Sequence, residues 1–151
     1  MATGIIIAAG LGSRMGSFTE KLPKCMLPIA GRPLLHHTIE RLQEFGCSQI
    51  VVVAGYKSDQ ITAPDCVLVE NMDFKNNNIL QSLMYARDYL TEDVVCTYSD
   101  IWVEPEIVEI LRNTSGEIVA AVDIDWEPYY IDRSGHPLNE AENVFLDTGK
   151  K

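Results

Sequence analysis

Basic residues are scarce in this 151-residue chain: 12 Lys and Arg stand against 22 Asp and Glu, for a formal net charge of −10. That balance argues against a broad cationic face for nucleic acid or an anionic membrane surface, so neither is expected as a partner. Long apolar runs are also missing, and none approaches the roughly 20 residues of a membrane-spanning helix. There are four cysteines, Cys25, Cys47, Cys66 and Cys96, with no C-x-x-C pair among them. Thiols scattered this way in a mid-sized chain read as reduced and partly buried rather than as a disulfide framework. The three histidines make no zinc set: His36 and His37 are helix neighbours that diverge, and His136 stands alone. The N-terminus lacks the basic start of a signal peptide and runs straight into a strand-like segment. The expected compartment is the cytoplasm.

What is present alternates between strand-like and helix-like runs. Short apolar, β-branched segments fall at 4–9, 49–55, 66–71, 93–100 and 117–125. Between them, 33–45 has Leu35, Ile39, Leu42 and Phe45 at helical spacing, with Pro33 at its start and Gly46 as a stop. The spacing in 77–90 predicts an amphipathic helix with Ile79, Leu80, Leu83, Met84, Ala86 and Leu90 inward, and 105–113 predicts a proline-started helix. Continuous apolar strands separated by helices imply a parallel sheet covered on both faces. Right-handed crossovers then give a three-layer α/β/α sandwich, an α/β Rossmann-like fold with a mostly parallel sheet. In such sheets ligands gather at the carboxyl ends of the strands.

The first strand end is where the few cations collect. Arg14, Lys21, Lys24 and Arg32, four of the twelve, lie in or just after the loop "GLGSRMG". The loop is not the dinucleotide fingerprint, because Met15 occupies the third glycine position, and no glycine–lysine–Ser/Thr triplet makes it a P-loop. Gly10 and Gly12 nevertheless let backbone N–H groups approach an anion, and Arg14 adds a planar fork suited to phosphate oxygens. A plain Gly-rich β–α turn is the bland alternative, and Lys21 and Arg32 read equally well as solvated surface charge.

The run "IIIAAGLGSRMG…T…PKCMLPIAGRPLL" closely resembles the signature of nucleotidyltransferases that couple a nucleoside triphosphate to a phosphorylated small molecule. The pattern is A-A-G-x-G-x-R, then P-K, then G-[KR]-P-[LM]-[LI], and every element is present, with Thr19 in place. The later "YSDIWVEPEIVEIL" and "AVDIDWEPYYIDRSGHPLNEAENV" resemble the phosphocholine-cytidylyltransferase-like branch and its 2-aminoethylphosphonate members. The resemblance implies a fold of the nucleotide-diphospho-sugar transferase type. It also implies transfer of a cytidylyl group from CTP to a small phosphate- or phosphonate-bearing amine, with release of pyrophosphate and Mg²⁺ as cofactor.

Residue by residue, it implies that Ala8, Ala9, Gly10, Gly12 and Ser13 wrap the nucleotide, and that Arg14 and Lys24 hold the triphosphate. Asp100 matches a magnesium-binding aspartate; its alternative is a turn or capping residue. Asn78 and Ser82, within the "NNNILQS" run that also holds Asn76 and Gln81, are placed at the base, and for each Asn a helix cap is the equal alternative. Trp126, Tyr129 and Tyr130 offer π faces to a cationic amine, Asp123 and Asp125 add negative charge, and Arg133 is placed at the acceptor's phosphate. Core packing is the alternative for these aromatics. One nucleotidyltransferase domain is expected over 1–151, incomplete at its C-terminal end. The competing functions are a sugar-1-phosphate nucleotidyltransferase and a non-catalytic nucleotide-binding module.

Overall fold

A computed structural model describes residues 1–91, 93–131, Leu138 and Val144. The chain divides into two compact units, Met1–Asn113 and Thr114–Lys151.

In the first unit the order is β1 (Ala2–Ala8), β2 (Pro28–Ile29), β3 (Arg32–Pro33), α1 (Leu34–Phe45), β4 (Cys47–Ala54), β5 (Val67–Glu70), α2 (Ile79–Met84), β6 (Val94–Tyr98) and α3 (Pro105–Asn113). Four strands pair in parallel in the order β5-β4-β1-β6. β2 and β3 form a small antiparallel ribbon that sequence reading did not anticipate.

Alternation along the strands assigns the two faces. Ile6, Ala8, Val52 and Ala54 point one way and pack with Leu35, Ile39 and Leu42 of α1. Ile5, Val51 and Val53 point the other way and meet Ala86, with Leu83, Tyr89 and Leu90 beside it. Both faces of a parallel sheet are therefore covered, which makes the α/β three-layer sandwich that the pattern predicts. Val51, Val52 and Val53 are fully buried because β4 lies between two neighbours and two layers. α1 buries Leu34, Leu35, Thr38, Ile39 and Leu42 at helical spacing and stops at Gly46, whose left-handed conformation lets its N–H reach the Gln43 carbonyl.

Two expectations are corrected. The helix expected over 77–90 runs only from Ile79 to Met84, then tightens to 3₁₀ bonding at Arg87–Tyr89. Its inward face is made by Ala86 with Leu83 and Leu90, while Ile79, Leu80 and Met84 are exposed. The strand expected over 117–125 does not form. Ile118 is 93% exposed and Ile124 78% exposed, with no paired strand among the described residues. A β-branched run is only suited to a strand, and becomes one when a neighbour supplies ladder hydrogen bonds and a face to cover. Among the described residues no helix is long and apolar enough to cross a membrane.

Candidate active site

The site is built where β1 and β6 end side by side. Register pairs Ile7 with Tyr98, and one further ladder bond runs from the Ser99 N–H to the Ile7 carbonyl at 3.1 Å. Asp100 follows immediately. On the β1 side the chain leaves through Ala8 and Ala9, both buried at the strand end. Gly12 then adopts φ +64, and a Cβ there would lie 3.0 Å from Thr19 Cγ2 and 3.2 Å from Lys24 Cβ. The loop is thus folded back on itself, and its glycine meets both the conformational and the steric demand of that turn.

Thr19 is the internal brace. Its hydroxyl reaches the Gly12 carbonyl at 3.0 Å and the Gly16 carbonyl at 3.2 Å, and its own carbonyl accepts from the Tyr56 hydroxyl at 3.1 Å. Lys24 is presented by an anchor of buried neighbours. Pro23, Cys25 and Met26 sit in the core, and the Met26 N–H bonds the Pro23 carbonyl at 2.9 Å. Burial pushes the Cys25 thiol up to about 12, so it stays protonated and inert at neutral pH.

Lys24 and Asp100, 76 residues apart in sequence, meet as an ion pair with Nζ 2.5 Å from Oδ2. Each side chain is about one-third exposed, at 33% and 36%. Solvent-exposed pairs of this kind add little to stability, so the pair matters for placing opposite charges at one sheet edge rather than for holding the fold. Arg14 and Ser13 are exposed on the same loop, and Arg14 forms no ion pair among the described residues. Arg32 instead pairs with Glu40 at 3.2 Å on the surface.

The asparagine run is a bonded cluster. Asn78 caps α2 in a reciprocal box: its Oδ1 accepts from the Gln81 N–H at 2.9 Å, and the Gln81 side chain accepts from the Asn78 N–H at 3.0 Å. Ser82 is buried and receives Asn71 Nδ2–H at 2.9 Å. Asn71 itself, fully buried at the end of β5, escaped sequence reasoning. Its amide also donates to Asn77 Oδ1, and its Oδ1 accepts from Asn77 Nδ2 and the Asp73 N–H. All four of its side-chain hydrogen-bonding positions are used, which locks the orientation of Asn77. The signal available was an asparagine closing the apolar run "CVLVE". An open groove of about 490 Å³ beside α2 is bordered by Asp73, Asn77, Gln81 and Tyr85; Arg14, Lys24 and Asp100 are not among its walls.

In the second unit, Trp126 and Tyr130 stack edge to face, with ring centroids 5.2 Å apart and planes at 84°. Both are half-buried, and Tyr129 is exposed. Asp123 accepts from the Asp125 N–H at 2.9 Å in a local turn. The strand expected to carry these residues to the sheet edge is the one that does not form, and Arg133 lies outside the described residues. Among the described residues no group of three or more His, Cys, Asp or Glu is arranged to hold a metal.

The chain is similar to known proteins over most of its length. The family model for the MobA-like NTP transferase domain matches residues 4–146. The CTP:phosphoglutamine cytidylyltransferase of Campylobacter jejuni is 29% identical over 156 aligned residues, 96% of this chain and 62% of that protein. The 2-aminoethylphosphonate cytidylyltransferase of Lancefieldella rimae is 37% identical over 93 residues, 58% of this chain and 38% of that one. The solved CTP:phosphocholine cytidylyltransferase of Streptococcus pneumoniae matches with a TM-score of 0.56 at 28% identity, over 66% of this chain and 45% of its own. The chain thus spans about three-fifths of the first relative and less than half of the other two.

Proposed function

This chain belongs to the MobA-like NTP transferase family, and we propose that it transfers a cytidylyl group from CTP to a small amine bearing a phosphate or phosphonate. The observation that carries the reading is the meeting of Lys24 and Asp100 beside a folded glycine loop at the β1 and β6 ends. Cytidylyltransferase relatives acting on such acceptors support the reaction class and the choice of base.

An acceptor phosphate or phosphonate oxygen is already anionic near neutral pH, so attack at the α-phosphorus needs no strong general base. A new P–O bond forms to the acceptor oxygen, the bond from the α-phosphorus to its bridging oxygen breaks, and pyrophosphate leaves with the electron pair. The protein's work is alignment and neutralisation. Lys24 and Arg14 face the charge that builds on pyrophosphate, and the backbone N–H groups around Gly10 and Gly12 approach its oxygens. Asn77, Asn78 and Ser82 border the cytosine. By resemblance alone, Trp126, Tyr129 and Tyr130 with Asp123 and Asp125 are the candidates for the acceptor's amine, and Arg133 for its phosphate.

The donor set at the strand ends, one carboxylate with its hard oxygens, fits Mg²⁺ held mainly by triphosphate and water. When bound, the ion neutralises developing charge on the phosphates. Asp100 is its protein ligand in this reading, which requires Lys24 to release it. The four free cysteines suit a reducing, cytoplasmic setting.

A panel of CTP, UTP, GTP and ATP against phosphocholine, 2-aminoethylphosphonate and glucose 1-phosphate, scored by pyrophosphate release with and without Mg²⁺, tests the reading. CTP with an amine acceptor is expected to lead. Preference for the sugar phosphate selects the sugar-1-phosphate reading, and nucleotide binding without turnover selects the binding module.

A further inference from the structure

We propose that Trp102 is a positioning residue for Asp100: seated on His37 and bonded to Glu104, it keeps the β6-end loop in place when Lys24 turns from Asp100 to the triphosphate. The inference rests on the nucleotidyltransferase reading above.

Two side-chain contacts join the segments 24–37 and 99–104. One is the ion pair of Lys24 and Asp100. The other is the ring contact of His37 with Trp102, centroids 4.9 Å apart and planes at 52°. His37 is itself fixed, with Nε2 3.0 Å from the Ile29 carbonyl, a pairing that puts the proton on Nε2. On its other side the indole N–H donates to Glu104 Oε1 at 3.1 Å, and the Glu104 carbonyl accepts the Ile107 N–H at 3.1 Å in the first turn of α3. The indole therefore ties the loop to α1 and to the start of α3 together. Those helices are themselves linked, since the Arg112 guanidinium donates to the Glu44 carbonyl at 3.4 Å.

Asp100 is bracketed by these fixed points. The Ser99 N–H closes the β1–β6 ladder on one side, and Trp102 is seated two residues later. The two ties respond differently to substrate. A triphosphate outweighs one carboxylate in its pull on Lys24, so substrate binding splits the ion pair. The indole is neutral and its hydrogen-bond partner Glu104 is an anion, so phosphate draws neither away and the contact persists. Trp102 is 50% exposed, so it does not serve as ordinary core filling. Fixing the loop is a task that its ring contact with His37 and its N–H bond to Glu104 explain.

The test uses the full chain, Trp102→Ala and Trp102→Phe. CTP binding is measured calorimetrically with and without Mg²⁺ in the absence of acceptor, and amide exchange at Ser99 is followed in the ligand-free protein. Trp102→Ala is expected to weaken Mg²⁺-dependent CTP binding about tenfold or more, as loss of an outer-shell support does, while Mg²⁺-free binding through Lys24 and Arg14 is unchanged. Ser99 exchange is expected to quicken about three- to tenfold, and Trp102→Phe, which keeps a ring on His37, to restore most of both. Equal losses with and without Mg²⁺, or unchanged Ser99 exchange, overturn the inference. A wild-type chain that binds no CTP in either condition overturns the functional reading instead, and Ser99 exchange still decides whether Trp102 holds the loop.

Discussion

The opening loop, 10–24, and the segment 117–131 were the two richest stretches of the sequence, and they fold to opposite standards. The first is fixed at several points: Gly12 against Thr19 and Lys24, Thr19 on two carbonyls, Tyr56 on Thr19, and Lys24 on Asp100. The second is held, among the described residues, by local contacts: a ring pair, the Asp123 turn and a short 3₁₀ turn at Glu127–Tyr130, and its apolar residues Ile118, Ile124 and Tyr129 are mostly exposed. Both segments carry chemically specific residues. The loop leaves a strand of the sheet, whose end fixes where its residues go, whereas 117–131 forms no strand of its own. The placement of a functional side chain is inherited from the core behind it, and a motif without such support gives residue types but no geometry.

The comparison is tested most strongly at the charged pair and its neighbour. Lys24→Ala and Arg14→Ala are each expected to cost about 2–5 kcal/mol of triphosphate binding by calorimetry, with cytidine binding nearly unchanged. Equal losses for both ligands would make the two residues supports of the loop rather than phosphate ligands. Asp100→Asn is expected to keep the fold and to lose Mg²⁺-dependent turnover. Normal activity of that variant at limiting Mg²⁺ would remove the metal assignment.

A second contrast concerns stability alone. Leu35 is fully buried against the sheet, so Leu35→Ala is expected to lower the unfolding free energy by about 2–5 kcal/mol. Ile118 is 93% exposed, so Ile118→Ala is expected to change it by no more than about 0.5 kcal/mol. Urea titration of both variants decides it, and a large loss at Ile118 would show that 117–125 is packed in solution.

Much of the first unit was legible because its signals were local and mutually consistent. The runs of Val and Ile in β1 and β4 are long enough to be read as buried strands, and α1 announces both ends with Pro33 and Gly46. The 117–125 run misled because its composition suits a strand while strand formation depends on a partner elsewhere in the chain. α2 misled differently: its apolar residues are spaced for a helix, yet burial passes to Ala86, Leu83 and Leu90 near and beyond its end. At the site, Arg14, Lys24 and Asp100 were legible as a motif, while their mutual geometry was not. The meeting of Lys24 with Asp100 follows from β6 pairing with β1, a contact between distant parts of the chain. Asn71 was missed because a strand-ending asparagine looks like any turn residue until its four bonds are seen.

The loop itself supplies a narrower test, between two glycines. Gly12→Ala must hold alanine at φ +64 and crowd Thr19 and Lys24, so a loss of about 1–3 kcal/mol in stability is expected, with weaker triphosphate binding. At Gly10 an added Cβ meets no atom within 4 Å, so Gly10→Ala is expected to be nearly neutral for stability. A drop in CTP affinity at unchanged melting temperature in that variant would mark Gly10 as the place where phosphate approaches the backbone. Unchanged affinity would withdraw Gly10 from the site.

Alkaline pH probes the buried side of the same anchor, since residues 114–151 contain no cysteine. Burial raises Cys25 from about 9 to about 12 and Cys47 to about 11. Above the unfolded thiol's value the unfolded chain releases these protons while the native chain keeps them. The native state then binds more protons, so stability falls as pH rises from about 9 until the native thiols ionise. The slope per thiol is on the order of 1 kcal/mol per pH unit. Urea midpoints between pH 8 and pH 11, on the order of that slope, should therefore decline, and Cys25→Ala should flatten the decline. An equal slope in that variant would assign the sensitivity to other groups.

A modest effect on catalysis is expected in the less supported segment. Trp126 and Tyr130 meet edge to face, an arrangement that leaves ring surface available, and Asp123 and Asp125 supply nearby negative charge in sequence. A cation over such faces gains roughly 0.5–2 kcal/mol per contact, with the lower end expected where the rings are partly solvated. A sugar would instead require several hydrogen-bonding groups around its hydroxyls, and the described part of this segment offers few. Trp126→Ala is therefore expected to raise the acceptor KM by about two- to thirtyfold while leaving the KM for CTP nearly unchanged. Tyr130→Phe, which keeps the ring, should have little effect on either. If Trp126→Ala lowers melting temperature without moving the acceptor KM, the ring pair is packing for its own unit, and the contrast between the two segments becomes one between a site and a scaffold.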